Sequence, residues 1–217
     1  MREPLPEWAN PGLRWGVGCA VLLLVGVPAL LMGWVRTPYA TGQARPLEQP
    51  IEFDHRHHVL DDRIDCRYCH ATVERSSAAG LPPTDTCMGC HGQVWNDSPL
   101  LEPVRASWFS GRPIAWKRVH VLPDFVFFDH AAHVTHGIGC ETCHGRVDRM
   151  ARIQQVADLS MGWCLSCHRD PTAHLRPPDR ITAMGWAPDP ATWPRLRARL
   201  ARDYHVRSLT RCTTCHR

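Results

Sequence analysis

Lysine is almost missing from this chain: of its 25 basic residues only Lys117 is not arginine. Against 21 acidic residues the formal charge is a modest +4, too small for the basic face that a nucleic-acid partner would require, so none is expected. Stretches free of helix breakers are also scarce, with 19 prolines and 15 glycines in 217 residues. That composition argues against long regular elements and predicts a mostly irregular fold with short α-helices and very little sheet. Long apolar runs are lacking except for one. A chain with a single such run cannot enclose a lipid-soluble substrate by itself.

The exception is Trp15 to Val35, "WGVGCAVLLLVGVPALLMGWV", which carries no charge, is bounded by Arg14 and Arg36, and has Trp15 and Trp34 near its ends. Length and flanking aromatics are those of a membrane-spanning helix. A cleaved signal peptide is the rival, with "GQA" ending at Ala44 as its cleavage site. The run exceeds a typical signal core, and an uncleaved anchor at 15–35 is expected. A tail at 1–14 precedes it, and a Pro-rich linker at 36–50 follows. Cys19, inside the run, reads as apolar filler.

Cysteine is plentiful, and its placement is regular. Ten of the 11 cysteines fall in C-x-x-C pairs, and every pair is followed at once by histidine: Cys66/Cys69/His70, Cys87/Cys90/His91, Cys140/Cys143/His144, Cys164/Cys167/His168 and Cys212/Cys215/His216. One such motif could be half of a zinc ribbon, but paired knuckles do not require the adjacent histidine, and disulfides give it no role. C-x-x-C-H is the attachment signature of c-type haem: two thiols three positions apart reach the two porphyrin vinyl groups, and the next histidine lies under the iron. Five covalently bound haem c groups are therefore expected. Each brings two propionates, and arginine forks suit carboxylates, so the arginine excess is compatible with haem.

The chain also repeats itself. "FDHRHHV" from Phe53 precedes the motifs at Cys66 and Cys87, and "FDHAAHV" from Phe128 precedes those at Cys140 and Cys164. Two two-haem modules are predicted, at about 51–110 and 118–175, with a terminal haem segment at 176–217. Aligning the halves shows which histidines recur: His55 matches His130, and His58 matches His133, whereas His57 and His136 have no counterpart. Two recurring histidines per module supply the sixth ligand of two low-spin irons. The fifth iron then needs a ligand from outside the repeat. His120, in the segment joining the modules, is the first candidate, Met161 the second, and His174, His205 and Met150 stand behind them.

The F-x-H-x-x-H stretch ahead of C-x-x-C-H resembles the class III multihaem cytochromes, the cytochrome c3 and c7 group, in which such histidines are distal ligands. "WKRVHVLPDFVFFDHAAHV", "MGWCLSCHR", "LTRCTTCHR", five motifs and the N-terminal anchor together resemble the pentahaem subunit of bacterial alternative complex III. That likeness implies an iron–sulfur subunit, polytopic quinol-binding membrane subunits and a monohaem cytochrome as partners. It also implies relay of electrons from quinol to a periplasmic carrier or oxidase. Since haem is attached to such motifs outside the cytoplasm, the amino terminus is expected in the cytoplasm and residues 51–217 in the periplasm, on a single-pass protein of the bacterial inner membrane. The alternatives are a multihaem reductase of small nitrogen or sulfur oxyanions, or the haem subunit of another quinone-linked oxidoreductase. No motif here ends in anything but histidine, so nothing signals an open iron.

Overall fold

The computed structural model describes residue 6 and residues 8–217; the tail expected at 1–14 falls partly outside the described residues. The chain divides into two compact units, Met1–Gln43 and Ala44–Arg217.

The first unit is one apolar helix, continuous over Ala9–Trp34, with a mean hydropathy of 2.3. It comprises α1 (Ala9–Val21), a π turn at Leu22–Gly26, and α2 (Val27–Trp34). The π turn stands directly before Pro28, which has no N–H to offer the carbonyl four residues earlier and whose ring crowds it; widening the turn relieves that conflict. Arg14 lies within the helix and not at its boundary. After Trp34, Thr37 caps a short α3 (Pro38–Thr41) by accepting from the Ala40 amide at 3.3 Å, with Pro38 in the first turn as the capping rules favour.

The second unit has no β-strand among its described residues; an isolated bridge pairs Ile138 with Leu175. Its helices are α4 (Cys66–Cys69), α5 (Thr84–His91), α6 (Glu102–Ser110), α7 (His130–Thr135), α8 (Cys140–His144), α9 (Met161–Arg169), α10 (Trp193–Asp203) and α11 (Cys212–Cys215). Most begin on a clear local signal. Asp65, Asp129 and Ser160 accept from backbone amides at the starts of α4, α7 and α9. Gly111, at φ 66°, ends α6 in the left-handed conformation that glycine adopts without strain. α10 turns Leu200 inward and leaves Arg195, Arg199 and Arg202 exposed.

The core of this unit is thin. Its buried apolar residues are Ile51, Val73, Val104, Ala157, Leu175, Ile181 and Leu200, and only Leu175 is below 2 % exposed. A unit of this length normally closes around a contiguous apolar cluster. Here the helices carrying the cysteine motifs contribute no buried residue to it.

Candidate haem-attachment sites

Each C-x-x-C-H motif lies on one helical turn, in α4, the end of α5, α8, α9 and α11. A turn of helix sets residues three apart on the same side, so the two thiols of each motif face one way. All 11 cysteines are free. Burial holds the thiols of Cys69, Cys87, Cys164 and Cys167 above their usual range and pushes Cys143 up to about 12, which keeps them neutral against an apolar partner.

The histidines are oriented by main-chain oxygens. Nδ1 of His70 meets Gly80 O at 2.7 Å, that of His91 meets Val94 O at 3.0 Å, and that of His216 meets Phe125 O at 3.0 Å. Among the recurring pairs, His58 meets Asp54 O at 3.0 Å, His133 meets Asp129 O at 2.7 Å, and His130 meets Ser77 O at 2.8 Å. A carbonyl only accepts, so the proton resides on Nδ1, and the Nε2 lone pair is left for a metal.

The rings face one another in pairs. His58 and His91 are 6.1 Å apart between centroids, His133 and His168 6.0 Å, and His130 and His144 6.3 Å. Two imidazoles on opposite sides of one metal, with metal–nitrogen bonds of about 2 Å, have centres about 6 Å apart. Burial lowers His55 to about 4, and His70 adds to the effect. The phenylalanine of each repeat grips its two histidines alike. Phe53 is edge-on to His55 (4.7 Å, 85°) and stacked on His58 (4.3 Å, 28°); Phe128 is edge-on to His130 (4.7 Å, 88°) and stacked on His133 (4.6 Å, 28°).

His144, lowered to about 3 by burial, has His120, His130, His70 and His55 around it. His120 is 4.4 Å from it at 78°, closer than a shared iron would hold two ligands. Its Nε2 is buried without a partner, as is Nδ1 of His55. The structure thus sets His120 against the third motif. Of the remaining candidates, His174 and His205 are exposed, Met150 is half-buried, and Met161 is 69 % exposed. His57 and His136, outside the repeat, are bonded on Nδ1 to Asp61 and to Ala132 O.

The motifs form a row whose spatial order is not the chain order. Cys87 lies near Cys69, and the Cys66 and Cys140 thiols are neighbours. Cys143 is beside Cys164 and Cys167, and Cys164 beside Cys215. Hydrogen bonds agree: the Thr182 hydroxyl donates to the Asp65 carboxylate while its neighbour Ile181 accepts from the Cys140 amide, the Ser208 hydroxyl donates to His168 O, and the Phe127 amide donates to Cys215 O. The second motif stands at one end, followed by the first, third, fourth and fifth.

Among the described residues no three His, Cys, Asp or Glu side chains converge into a metal cage. A porphyrin brings four of its iron's ligands and asks the protein for two, together with two thiols and an apolar bed. Those are the groups this unit presents. Residues 126–217 match the sequence profile of the family described as cytochrome c7 and related cytochrome c. This region is cytochrome c7-like. It holds Phe128, His130, His133 and the last three motifs. The chain is also 38 % identical, over 135 residues, to the "menaquinone reductase, multiheme cytochrome c subunit" of Nitratidesulfovibrio vulgaris, a match covering 61 % of this chain and 62 % of that protein. The chain therefore spans less than two thirds of that relative's length.

Within the cytochrome c7-like region, Glu141 sits between the two thiols of the third motif and is held by Arg176 Nη2 at 3.0 Å and by the Gly185 amide at 2.7 Å. Arg176 also bonds Ala183 O at 2.6 Å and lies over the Trp186 ring. The sequence reading missed this cluster and the carbonyl acceptors. A repeated aspartate, Asp54 and Asp129 in "FDH", was the one signal in the sequence that pointed to two of them.

Proposed function

We propose that the chain is a membrane-anchored pentahaem c-type cytochrome that relays electrons in a quinone-linked complex. The observation that carries this reading is the row of five motifs, in which each lies near the next. Cys66 and Cys69, Cys87 and Cys90, Cys140 and Cys143, Cys164 and Cys167, and Cys212 and Cys215 would hold the haems, with His70, His91, His144, His168 and His216 beneath the irons. His55, His58, His130 and His133 would complete the first, second, third and fourth irons. When bound, haem supplies one-electron exchange between ferric and ferrous iron. The residues fix the imidazole tautomers, keep water from the attachment edges, and tune each site through hydrogen bonds and burial.

The resemblance to alternative complex III supports an iron–sulfur subunit, polytopic quinol-binding subunits and a monohaem cytochrome as partners, with electrons passing outward from quinol to a periplasmic carrier or oxidase. A second direction is favoured by the relative's name: a menaquinone reductase subunit sends electrons toward the quinone. Isolating the native membrane assembly tests both. The chain's intact mass should exceed that of its polypeptide by five haems; fewer, or zinc instead, overturns the reading. Menaquinol should reduce those haems if the flow is outward, and oxidised menaquinone should reoxidise them if it is inward. Inertness toward both removes the quinone link.

His120, the first candidate from the sequence for the ligand outside the repeat, has a buried Nε2 without a hydrogen-bond partner, but its ring packs on His144 of the third site. His120→Ala should leave five haems attached and convert one from low spin to high spin in the electron paramagnetic resonance spectrum. An unchanged spectrum, with loss of a methionine-ligated signal in Met161→Ala, assigns that iron to Met161.

A further inference from the structure

One short loop touches both central sites. After His70 the chain turns back on itself: Thr72 Oγ1 donates to Ala78 O at 2.9 Å, Thr72 O accepts from the Arg75 and Ser76 amides, and Val73 is buried beneath. The loop ends at Gly80, whose φ of 78° lies in the region that L side chains rarely adopt. A Cβ there would also meet Thr72 Oγ1 at 2.7 Å. The fold holds Gly80 O in this way, 2.7 Å from Nδ1 of His70.

The other side of the loop reaches across to the second repeat. Ser76 O accepts from the Ala131 amide at 3.1 Å, and Ser77 O takes both the His130 amide at 3.2 Å and the His130 ring at 2.8 Å. This contact breaks the symmetry of the two halves. His58 and His133 each bond a carbonyl four residues earlier, while the equivalents His55 and His130 differ: Nδ1 of His55 is buried without a partner, and that of His130 is bonded from 53 residues away.

We propose that the 72–80 loop is a shared strut that sets the electron-donating strength of His70 at the first site and of His130 at the third, so that the two adjacent sites are tuned together. This rests on the axial-ligand reading above. The physical link is direct. An Nδ1–H donating to a carbonyl gives its imidazole more imidazolate character, which stabilises ferric iron and lowers the potential. Two such bonds issue from one loop closed by the Thr72 hydroxyl on Ala78 O at 2.9 Å, with the longer Ala78 amide to Ser76 Oγ bond of 3.3 Å inside it, so loosening the Thr72 bond weakens both. Thr72, Ser77 and Gly80 act here as positioning residues.

The test is a redox titration of the native five-haem protein monitored by electron paramagnetic resonance. Signals of the first and third haems are identified by their response to His55→Met and His130→Met. In Thr72→Ala both potentials should rise while those of the haems served by His58 and His133 stay. Thr72→Ser keeps the hydroxyl bond and should restore both. Ser77→Ala should move neither, since only its main-chain oxygen is used. Gly80→Ala should shift the same pair further, provided all five haems attach. If the two ligand variants leave every low-spin signal in place, the ligand reading itself falls. Should those signals respond while Thr72→Ala moves neither potential, or moves only one of them, the shared strut is overturned.

Discussion

Arg176→Ala is expected to destabilise the domain by about 3 kcal/mol, the lower end of the range for breaking a buried ion pair from one side. The side chain of Arg176 is 10 % exposed and that of Glu141 20 %, so the carboxylate left behind would be largely out of water without its main partner. The loss is moderated because the Gly185 amide still donates to Glu141, and Arg146 stands 3.9 Å away. It is increased because the guanidinium also satisfies Ala183 O and covers Trp186, and its aliphatic stem fills the space beside Gly139. Arg176→Lys should recover only part, since an ammonium cannot reproduce the planar fork. Adding Glu141→Gln to Arg176→Ala should recover part as well, because no buried charge then lacks a partner. Chemical denaturation followed by circular dichroism measures all three. A loss below about 1 kcal/mol in Arg176→Ala would mean that the pair contributes no more than a surface salt bridge.

What was legible in the sequence was whatever is local and covalent. C-x-x-C-H fixes its chemistry within five residues, and F-x-H-x-x-H writes two ring positions on one turn. The apolar run and the Pro/Gly content anticipated the helix and the absence of strands among the described residues. Pro28 could have announced the π turn, since the missing N–H is a property of the residue itself. What was not legible depends on distant contacts. Main-chain acceptors such as Gly80 O and Ser77 O have no side-chain signature, and nothing in "SSAAG" announces that it will bond a histidine 53 residues on. The order of the row is likewise hidden, because Cys66 meets Cys140 through folding and not through spacing. His120 shows the same limit: its sequence position suggested a ligand, but only the fold sets it against His144.

These hidden contacts decide which candidate sites are neighbours. Thr182–Asp65 and Ser77–His130 join the first site to the third, where Cys66 also neighbours Cys140, while Arg152–Glu52 and Gln49–Lys117 tie the halves away from the motifs. The second motif, though next to the first in the chain, is the outlying end. The fifth, held by Phe125 and Phe127, is the other end.

Replacing residues 1–43 with a cleavable signal peptide, so that the rest of the chain is still exported, should move the protein wholly from the membrane to the soluble fraction while the proposed five haems stay attached. The helix over Ala9–Trp34 has 26 residues, which at 1.5 Å per residue is about 39 Å, against a hydrocarbon thickness of about 30 Å. It is therefore long enough to span, with its first turns, including Arg14, extending toward the headgroups. None of its apolar window is buried, and Leu24 is 75 % exposed, so in water this surface would have no cover and in a bilayer it needs none. The cysteine motifs all lie in the separate unit Ala44–Arg217, which is why attachment should survive once the signal peptide supplies export. Fractionation of cells after a high-salt wash, with haem staining of both fractions, reads the result. Retention of the truncated chain after the wash would mean that partner subunits, and not this helix, hold it. A native chain whose mass begins after Ala44 would mean that the helix is a signal sequence and no anchor at all.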